Sequence, residues 1–170
     1  MMNRREFIKY ASIGLLGSLV FPKVASAKRV SKELIRSILE SQLHPLTKKV
    51  IQIESNWEYW KEGKEDDVGL MQIRPLALED WNENGPGRLY GKYDLFDPFV
   101  NVMVGEWYLH ERIGNHYLNS YNLRKSPENK LACYNAGPTK IGRKVGDAIE
   151  NFSKLPETTK KYLINYWALS

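Results

Sequence analysis

The segment PLTKKVIQIESNW, residues 45–57, decides the fold because it has the apolar periodicity of a helix. Four of its residues recur at i, i+4, i+7 and i+11: Leu46, Val50, Ile53 and Trp57. At about 100° per residue this spacing puts them on one narrow face, with Glu54 at its edge. A lone helical glutamate is usually solvated. At the margin of an apolar face, partial desolvation would instead raise its pKa toward the range in which it donates a proton near neutrality.

The rest of the chain is also mainly helical in pattern. A helix capped by Ser31 is expected to run toward Leu43. Its expected apolar stripe is Leu34, Ile35, Ile38 and Leu39. Further helices are predicted at 98–113, 126–137 and 156–167. An exposed loop at 61–68, an apolar segment at 69–73 and a second loop at 81–94 lie between them.

Residues 1–27 have the layout of a removable export signal. A basic start with paired arginines precedes an apolar run at 11–21 and the small triplet at 25–27. The pair resembles a twin-arginine signal, and a general secretory signal is the alternative. The run is shorter than the roughly 18 to 20 residues that span a bilayer, so we expect no stable membrane span after removal. The prediction is a signal at 1–27 and one domain at 28–170.

Composition limits the possible functions. The chain has 170 residues, 42% of them hydrophobic, which suits one packed core. Its net charge of +5 falls to +2 without residues 1–27, so a nucleic-acid partner is not expected. The single Cys133 excludes an internal disulfide. The histidines lack metal-ligand spacing and there is no glycine-rich phosphate loop, so we predict no metal and no cofactor.

Five blocks of sequence occur in a specific order. They are Glu54-Ser55; Gly69-Leu70-Met71-Gln72-Ile73 with Pro75; Asn101, Gly105, Tyr108 and Leu109; Cys133-Tyr134-Asn135-Ala136-Gly137-Pro138; and Pro156, Thr159 and Tyr162. In this order they resemble the soluble lytic transglycosylase family, over residues 44–163. Five ordered blocks are far more specific than any one of them.

The resemblance implies a single, mainly α, lysozyme-like domain with little or no sheet. It also implies that Glu54 is the sole catalytic carboxylate of a peptidoglycan lytic transglycosylase. Glu54 would protonate the glycosidic oxygen between N-acetylmuramic acid and N-acetylglucosamine, and then withdraw a proton from the muramoyl C6 hydroxyl. The product would be a 1,6-anhydro sugar formed without water. Because the substrate supplies the nucleophile, a second carboxylate is dispensable.

The resemblance also implies a set of substrate-binding residues. They are Ser55, Met71, Gln72, Tyr134, Asn135 and Tyr162. Tyr134 would hold the orientation of the acid, and the amides of Gln72 and Asn135 can bond to sugar substituents. The tryptophans at 57, 60, 81 and 107 could stack on sugars, although core packing is the more common fate of tryptophan. Asn101 and Gly105 look structural, with Gly105 permitting a close contact.

Several positions depart from the family pattern. Gly63 stands where serine is usual, and Asp66-Asp67 stands where Gly-Ala is usual. Cys133 replaces an alanine, and Thr158 occupies the slot of a glutamate. Asp67 is similar to an aspartate of goose-type lysozymes that is thought to position water, so hydrolysis is an alternative. Two solvated loop aspartates are the plainer interpretation.

The expected partner is the glycan strand of peptidoglycan, met in the periplasm or cell envelope. A non-catalytic glycan-binding or assembly factor is the alternative from a different class. Association with a secretion, pilus or conjugation apparatus is a further hypothesis that the sequence leaves open.

Overall fold

The computed structural model describes residues 31–169, and the predicted export signal at 1–27 lies outside them. Within that range the main helices are α1 (Lys32–Glu40), α2 (Pro45–Glu54), α3 (Pro75–Asn84), α4 (Pro98–Glu106), α5 (Pro127–Ala136) and α6 (Glu157–Ala168). Within the described range, β pairing is limited to the isolated bridges Glu62–Val68 and Val68–Ile73. The expectation of a mainly α domain is therefore confirmed. From Lys32 onward the chain forms one compact unit. No helix among the described residues combines the length and apolarity needed to cross a bilayer.

Helix α2 is held at its start by His44. The His44 Nδ1 accepts a hydrogen bond of 3.1 Å from the backbone N–H of Leu46, and Pro45 occupies the first turn, where its missing N–H does no harm. Its buried residues are Leu46, Thr47, Val50 and Ile51. Ile53 was predicted to be buried and is only half-buried. The buried face is rotated toward Thr47, whose hydroxyl bonds to His110 at 3.1 Å.

Helix α1 buries less than predicted. Ile35 and Leu39 are 4% and 5% exposed, whereas Leu34 and Ile38 are 51% and 39% exposed. Only one i, i+4 row of this helix meets the rest of the domain. The helix also ends at Glu40, three residues before the predicted Leu43.

Helix α3 corrects the prediction of a loop from Trp81 to Asp94. Trp81 lies inside the helix and is 1% exposed. Its indole N–H donates to the carbonyl of Arg88 at 3.0 Å, so the following segment folds back over this ring. A 3₁₀ helix, Lys92–Phe96, then leads into α4. Packing of the buried Trp81 ring extends α3 into the segment that its Asn and Gly residues had suggested to be a loop.

The apolar segment at 69–73 is fixed by Asn101 of α4. The Asn101 side chain accepts the N–H of Met71 at 2.8 Å and donates to the carbonyls of Val68 and Leu95 at 2.7 and 3.0 Å. Gly105 lies one turn further along, where a Cβ would come within 2.3 Å of the Met71 sulfur. The structural roles predicted for Asn101 and Gly105 are confirmed.

Beyond Glu106 the α4 helix continues as a π-helix, Trp107–Tyr117, and ends in a short α turn, Leu118–Ser120. The continuous helix is thus longer than the predicted 98–113. Its π-helical part buries Trp107, Leu109 and Ile113.

Helix α5 follows the prediction at both ends. The Ser126 hydroxyl caps it by accepting the N–H of Asn129 at 3.2 Å, and Gly137 ends it with a φ of 89° that favours glycine. A short α turn, Pro138–Lys140, and a π-helical turn, Ile141–Val145, come next. The 3₁₀ turn Phe152–Lys154 then precedes α6.

Candidate active site

Glu54 is the last residue of α2, and the chain turns sharply after it. Ser55 follows as the C-cap, and Asn56 and Trp57 have φ values of 50° and 67°. An aromatic residue in the left-handed region is strained, so the packing of the buried Trp57 ring must hold this turn. The ammonium of Lys61 donates to the carbonyl of Glu54. These contacts fix the position of the Glu54 backbone.

The carboxyl of Glu54 is a weak acid in this setting. Burial raises its pKa from 4.5 to about 7. The Tyr162 hydroxyl, the Arg74 guanidinium and the Lys61 ammonium act in the opposite direction, while the negative charge of Asp67 adds to the rise. Glu54 is consequently close to half-protonated near neutrality, which suits a group that first donates a proton and then accepts one.

Two tyrosines lie beside this carboxyl, and both have a raised pKa because they are buried. The Tyr162 hydroxyl faces Glu54 closely enough to lower the pKa of Glu54, yet it has no hydrogen-bond partner of normal geometry among the described residues. The Tyr134 hydroxyl donates to the carbonyl of Met71 at 2.7 Å. Its proton is therefore committed to the backbone rather than to Glu54. The orienting role expected of Tyr134 stays a prediction.

An open cavity of about 1020 Å³ contains the Glu54 side chain. Four of the predicted site residues border it: Glu54, Gln72, Tyr134 and Asn135. Asp67 borders it too. Residues separated by some 80 positions in the sequence are thus brought to one place.

In each of the amides of Gln72 and Asn135, one of the two polar groups is hydrogen-bonded within the protein. The Gln72 NH₂ donates to the carbonyls of Lys61 and Gly69 at 3.1 and 3.0 Å, which leaves its carbonyl oxygen for a ligand. The Asn135 carbonyl oxygen accepts the hydroxyl proton of Thr159 at 2.8 Å, which leaves its NH₂ group. One acceptor and one donor therefore remain for polar groups of a ligand.

The other three predicted binding residues do not border the cavity. Ser55 is 2% exposed and its hydroxyl donates to the carbonyl of Ile51 at 3.1 Å. Met71 is fully buried against Gly105, so the expectation that its side chain lines the cleft is wrong. Tyr162 is 5% exposed and meets Glu54 from the protein side. The substrate-binding roles expected of Ser55 and Tyr162 stay predictions.

Of the four tryptophans predicted as possible stacking residues, three belong to the core and Trp60 is half-buried. Trp57, Trp81 and Trp107 are buried, and none of the tryptophans at 57, 60, 81 and 107 borders the cavity. Trp81 and Trp107 pack edge to face with ring centres 5.3 Å apart. The sequence analysis missed other residues that do border it, namely Arg74, Glu79, Tyr108, Arg112, Tyr117, Lys140, Arg143 and Lys144. Only the matching of Tyr108 to a motif block pointed toward any of them.

No group of three or more His, Cys, Asp or Glu side chains among residues 31–169 is arranged to hold a metal ion. The groups nearest to the chemistry considered above are the Glu54 carboxyl, the phenols of Tyr134 and Tyr162, and the amides of Gln72 and Asn135. Such a set can transfer a proton and bind neutral polar substituents.

Comparison with known proteins agrees with this geometry. Residues 23–154 match the family model of the Transglycosylase SLT domain. The chain belongs to this family. The SLT match includes Glu54, Gln72, Tyr134 and Asn135 and stops before α6, the helix that contributes Tyr162.

Two relatives of this SLT domain are much longer than the chain. "Putative soluble lytic murein transglycosylase" of Haemophilus influenzae is 31% identical over 93 residues, which is 53% of this chain and 14% of that protein. The crystal structure of the 70 kDa soluble lytic transglycosylase of Escherichia coli aligns with a TM-score of 0.55 and 21% identity. That alignment covers 98% of this chain and 28% of the Escherichia coli chain, and it confirms the lysozyme-like fold.

Proposed function

We propose that this SLT domain is a peptidoglycan lytic transglycosylase that cleaves the β-1,4 bond from N-acetylmuramic acid to N-acetylglucosamine. The product is a 1,6-anhydro-N-acetylmuramoyl end. The observation that carries the proposal is Glu54, whose pKa of about 7 and position in an open cavity suit a general acid and base. Membership of the SLT family supports the choice of substrate.

In the first step protonated Glu54 donates its proton to the glycosidic oxygen. The bond from this oxygen to C1 of the muramoyl residue breaks, and the N-acetylglucosamine end leaves as an alcohol. Positive charge then develops on the muramoyl C1 and ring oxygen. The Glu54 carboxylate, formed at that moment, stabilises this charge at short range in a partly desolvated site.

In the second step the same carboxylate withdraws the proton of the muramoyl C6 hydroxyl. The C6 oxygen attacks C1 and closes the anhydro ring, so Glu54 is protonated again and no water is consumed. A group that must be a good acid and then a good base works best with a pKa near the ambient pH. The Gln72 carbonyl oxygen and the Asn135 NH₂ would orient the substrate so that its C6 hydroxyl faces C1.

Hydrolysis is the competing proposal, and one observation favours it. Asp67 borders the same cavity as Glu54 and its charge acts on Glu54. A second carboxylate at a suitable separation would activate water instead of leaving the attack to the C6 hydroxyl. The two reactions give products that differ in mass by one water.

The deciding experiment is mass spectrometry of muropeptides released from purified sacculi by the full chain, with Glu54→Gln as the inactive control. Anhydro products establish the transglycosylase. Products with a reducing end establish a hydrolase and make Asp67 the residue to replace next. If the wild type releases nothing while it binds sacculi, the chain is a glycan-binding factor.

The proposed place of action is the periplasm or cell envelope, where peptidoglycan lies. This requires the export signal predicted at 1–27, with the domain at 28–170. A role in opening the wall for a secretion, pilus or conjugation apparatus stays a prediction.

A further inference from the structure

A second depression lies beside the cavity that contains Glu54. This groove of about 580 Å³ is lined by α3 and by the segment that leads into α4. Its apolar lining residues are Ile73, Pro75, Leu78, Leu89 and Leu95. Leu89 is 72% exposed there, although a leucine side chain gains free energy from burial. An apolar groove that stays open to solvent is a candidate contact surface for a partner.

The most exposed large apolar side chains of residues 31–169 are concentrated at this groove. Leu76 is 76% exposed and Tyr93 is 86% exposed, and apart from these two and Leu89 no such side chain exceeds 53%. Leu76 follows Pro75 in the chain and Tyr93 follows Lys92, and both Pro75 and Lys92 line the groove. Since consecutive Cα atoms are about 3.8 Å apart, Leu76 and Tyr93 lie next to the groove as well.

The rim of the groove is acidic. Asp66, Glu79 and Glu83 line it, and Lys92 is the one basic residue among the described residues that do so. The Lys92 ammonium is bonded to the carboxylates of Glu62 at 2.5 Å and Asp66 at 2.9 Å, so its charge is already compensated. Glu79 and Glu83 are exposed and form no ion pair with the described residues. The groove therefore presents uncompensated negative charge.

This lining suits the glycan poorly. Asn82 supplies the one amide side chain among the described lining residues, and both of its polar groups are used by Tyr90. The Asn82 Oδ1 accepts the Tyr90 N–H and the Nδ2 donates to the Tyr90 carbonyl, each at 2.9 Å. Sugar hydroxyls would lose water over the apolar lining and gain few hydrogen bonds there. The carboxylates of the rim would repel the carboxylates of stem peptides.

A protein segment with both apolar and basic side chains complements the groove. Its apolar side chains would cover the leucines, and its lysines or arginines would pair with Glu79 and Glu83 through charge-assisted hydrogen bonds. Glu79 and Glu83 are four residues apart on α3, so their side chains are neighbours on one face of that helix. An amphipathic helix offers cations at the same i, i+4 spacing beside its apolar face.

We propose that the groove between α3 and residues 89–95 docks a basic, amphipathic segment of a partner protein. The acidic rim selects the charge of the partner, and the apolar lining selects its amphipathic character. Ile73, Glu79 and Glu83 border both the groove and the cavity that contains Glu54, so the partner would be held directly beside that cavity. This inference goes beyond the proposed function and does not depend on which bond is cut.

The test uses three synthetic peptides of equal length. The first carries leucine and lysine in a helical amphipathic pattern, the second has glutamate in place of lysine, and the third has serine in place of leucine. Each is titrated into the full chain and followed by calorimetry and by NMR. The groove variant combines Glu79→Gln and Glu83→Gln. Its matched control combines Glu33→Gln and Glu111→Gln, at two exposed glutamates outside the groove, and Leu89→Ser probes the apolar lining.

We expect the leucine–lysine peptide to bind with a Kd on the order of 10 μM and to shift the resonances of residues 75–83 and 89–95. The groove variant should weaken this binding about tenfold and Leu89→Ser about fivefold, whereas the control should change it less than about twofold. The glutamate and serine peptides should not bind measurably. All the replaced side chains are exposed, so the fold should be retained.

Several results would overturn the inference. They are the absence of binding by the leucine–lysine peptide, an equal loss in the groove variant and the control, and equally tight binding of the serine–lysine peptide. Titration with an N-acetylglucosamine oligomer tests the other occupant, because shifts at Leu89 and Leu95 would assign the groove to glycan instead. None of these measurements needs turnover, so they test the groove even if the wild type releases no anhydro products.

Discussion

The Asp67 carboxylate fills the space in which a side chain on residue 63 would lie. A Cβ built on Gly63 would be 2.0 Å from the Asp67 Oδ2 and 2.3 Å from its Cγ. The same carboxylate accepts the N–H of Glu65 at 3.0 Å, which holds it over the loop. The two departures from the family pattern, at 63 and at 67, are thus one structural feature.

A double-mutant cycle between these positions should show strong coupling. Gly63→Ser must push the Asp67 carboxylate aside, so we expect it to reduce the free energy of unfolding by about 1 to 2 kcal/mol. In an Asp67→Ala background the same change should have little effect, since the space is then empty. Urea unfolding of the four proteins gives the coupling energy directly. Additive effects would show that the two residues do not compete for this space.

The pH dependence of activity should respond to the charges near Glu54. The first step needs protonated Glu54, so activity should fall as pH rises through its pKa of about 7. Asp67→Asn removes a charge that raises this pKa, and the falling limb of kcat/KM should move to lower pH. Arg74→Gln removes a charge that lowers it, and the limb should move to higher pH. The matched control is Asp66→Asn, at an exposed aspartate paired with Lys92. If Asp67→Asn and Arg74→Gln moved the falling limb in the same direction, the limb could not be assigned to Glu54.

Glu54 should lower stability at neutral and alkaline pH. Its pKa is raised on folding, so the folded state holds more protons between pH 4.5 and about 7, and stability falls as pH rises through this window. Glu54→Gln removes the buried charge and should raise the free energy of unfolding by roughly 1 to 3 kcal/mol at pH 8, with little change at pH 4. Glu33→Gln, on exposed α1, is the control. Equal stabilisation at both pH values would mean that the gain has another source.

Acid should destabilise the domain through His110. This ring is half-buried, and its desolvation, together with the charges of Lys130 and of His44, whose ring centre is 4.5 Å away, lowers its pKa to about 3. Between pH 6.5 and 3, His110 is therefore protonated in the unfolded state but neutral in the folded state. The free energy of unfolding consequently falls as pH drops from about 6.5 toward 3. Glu106 lies nearby, and burial raises its pKa. Its protonation therefore favours the folded state as pH drops, which opposes the effect of His110.

Replacing His110 by Gln should reduce the pH dependence of the free energy of unfolding in acid by up to about 1.4 kcal/mol per pH unit. Equilibrium unfolding measured from pH 4 to 7 tests it, with His116→Gln at an exposed position as the control. An unchanged slope in His110→Gln would assign the acid sensitivity to other groups.

The sequence predicted those parts of the fold and site that depend on local signals. The starts of α2, α4 and α5 follow from Pro45, Pro98 and Pro127, and the end of α5 follows from Gly137. The desolvation of Glu54 follows from its place beside an apolar face. These features depend only on residues that are close in the sequence.

Other features depend on contacts that periodicity cannot reveal. Ile53 and Leu34 were predicted to be buried, but partners distant in sequence cover only one side of each apolar stripe. The hydroxyl of Tyr134 meets the carbonyl of Met71, 63 residues away. The sequence analysis did not single out Lys140, Arg143 and Lys144, because nothing local in the sequence places them at the cavity that contains Glu54.

The cavity should be sensitive to any change in the number of residues in the π-helix Trp107–Tyr117. Tyr108, Arg112 and Tyr117 of this segment reach the cavity while Leu109 and Ile113 face the core. Each residue added to or taken from a helix rotates everything beyond it about the helix axis, by about 100° in α-helical geometry. A single-residue deletion here would swing Tyr117 and all that follows out of register with α3, although no side chain at the cavity had been replaced. We therefore expect insertions and deletions to be tolerated less in this helix than most substitutions on its surface.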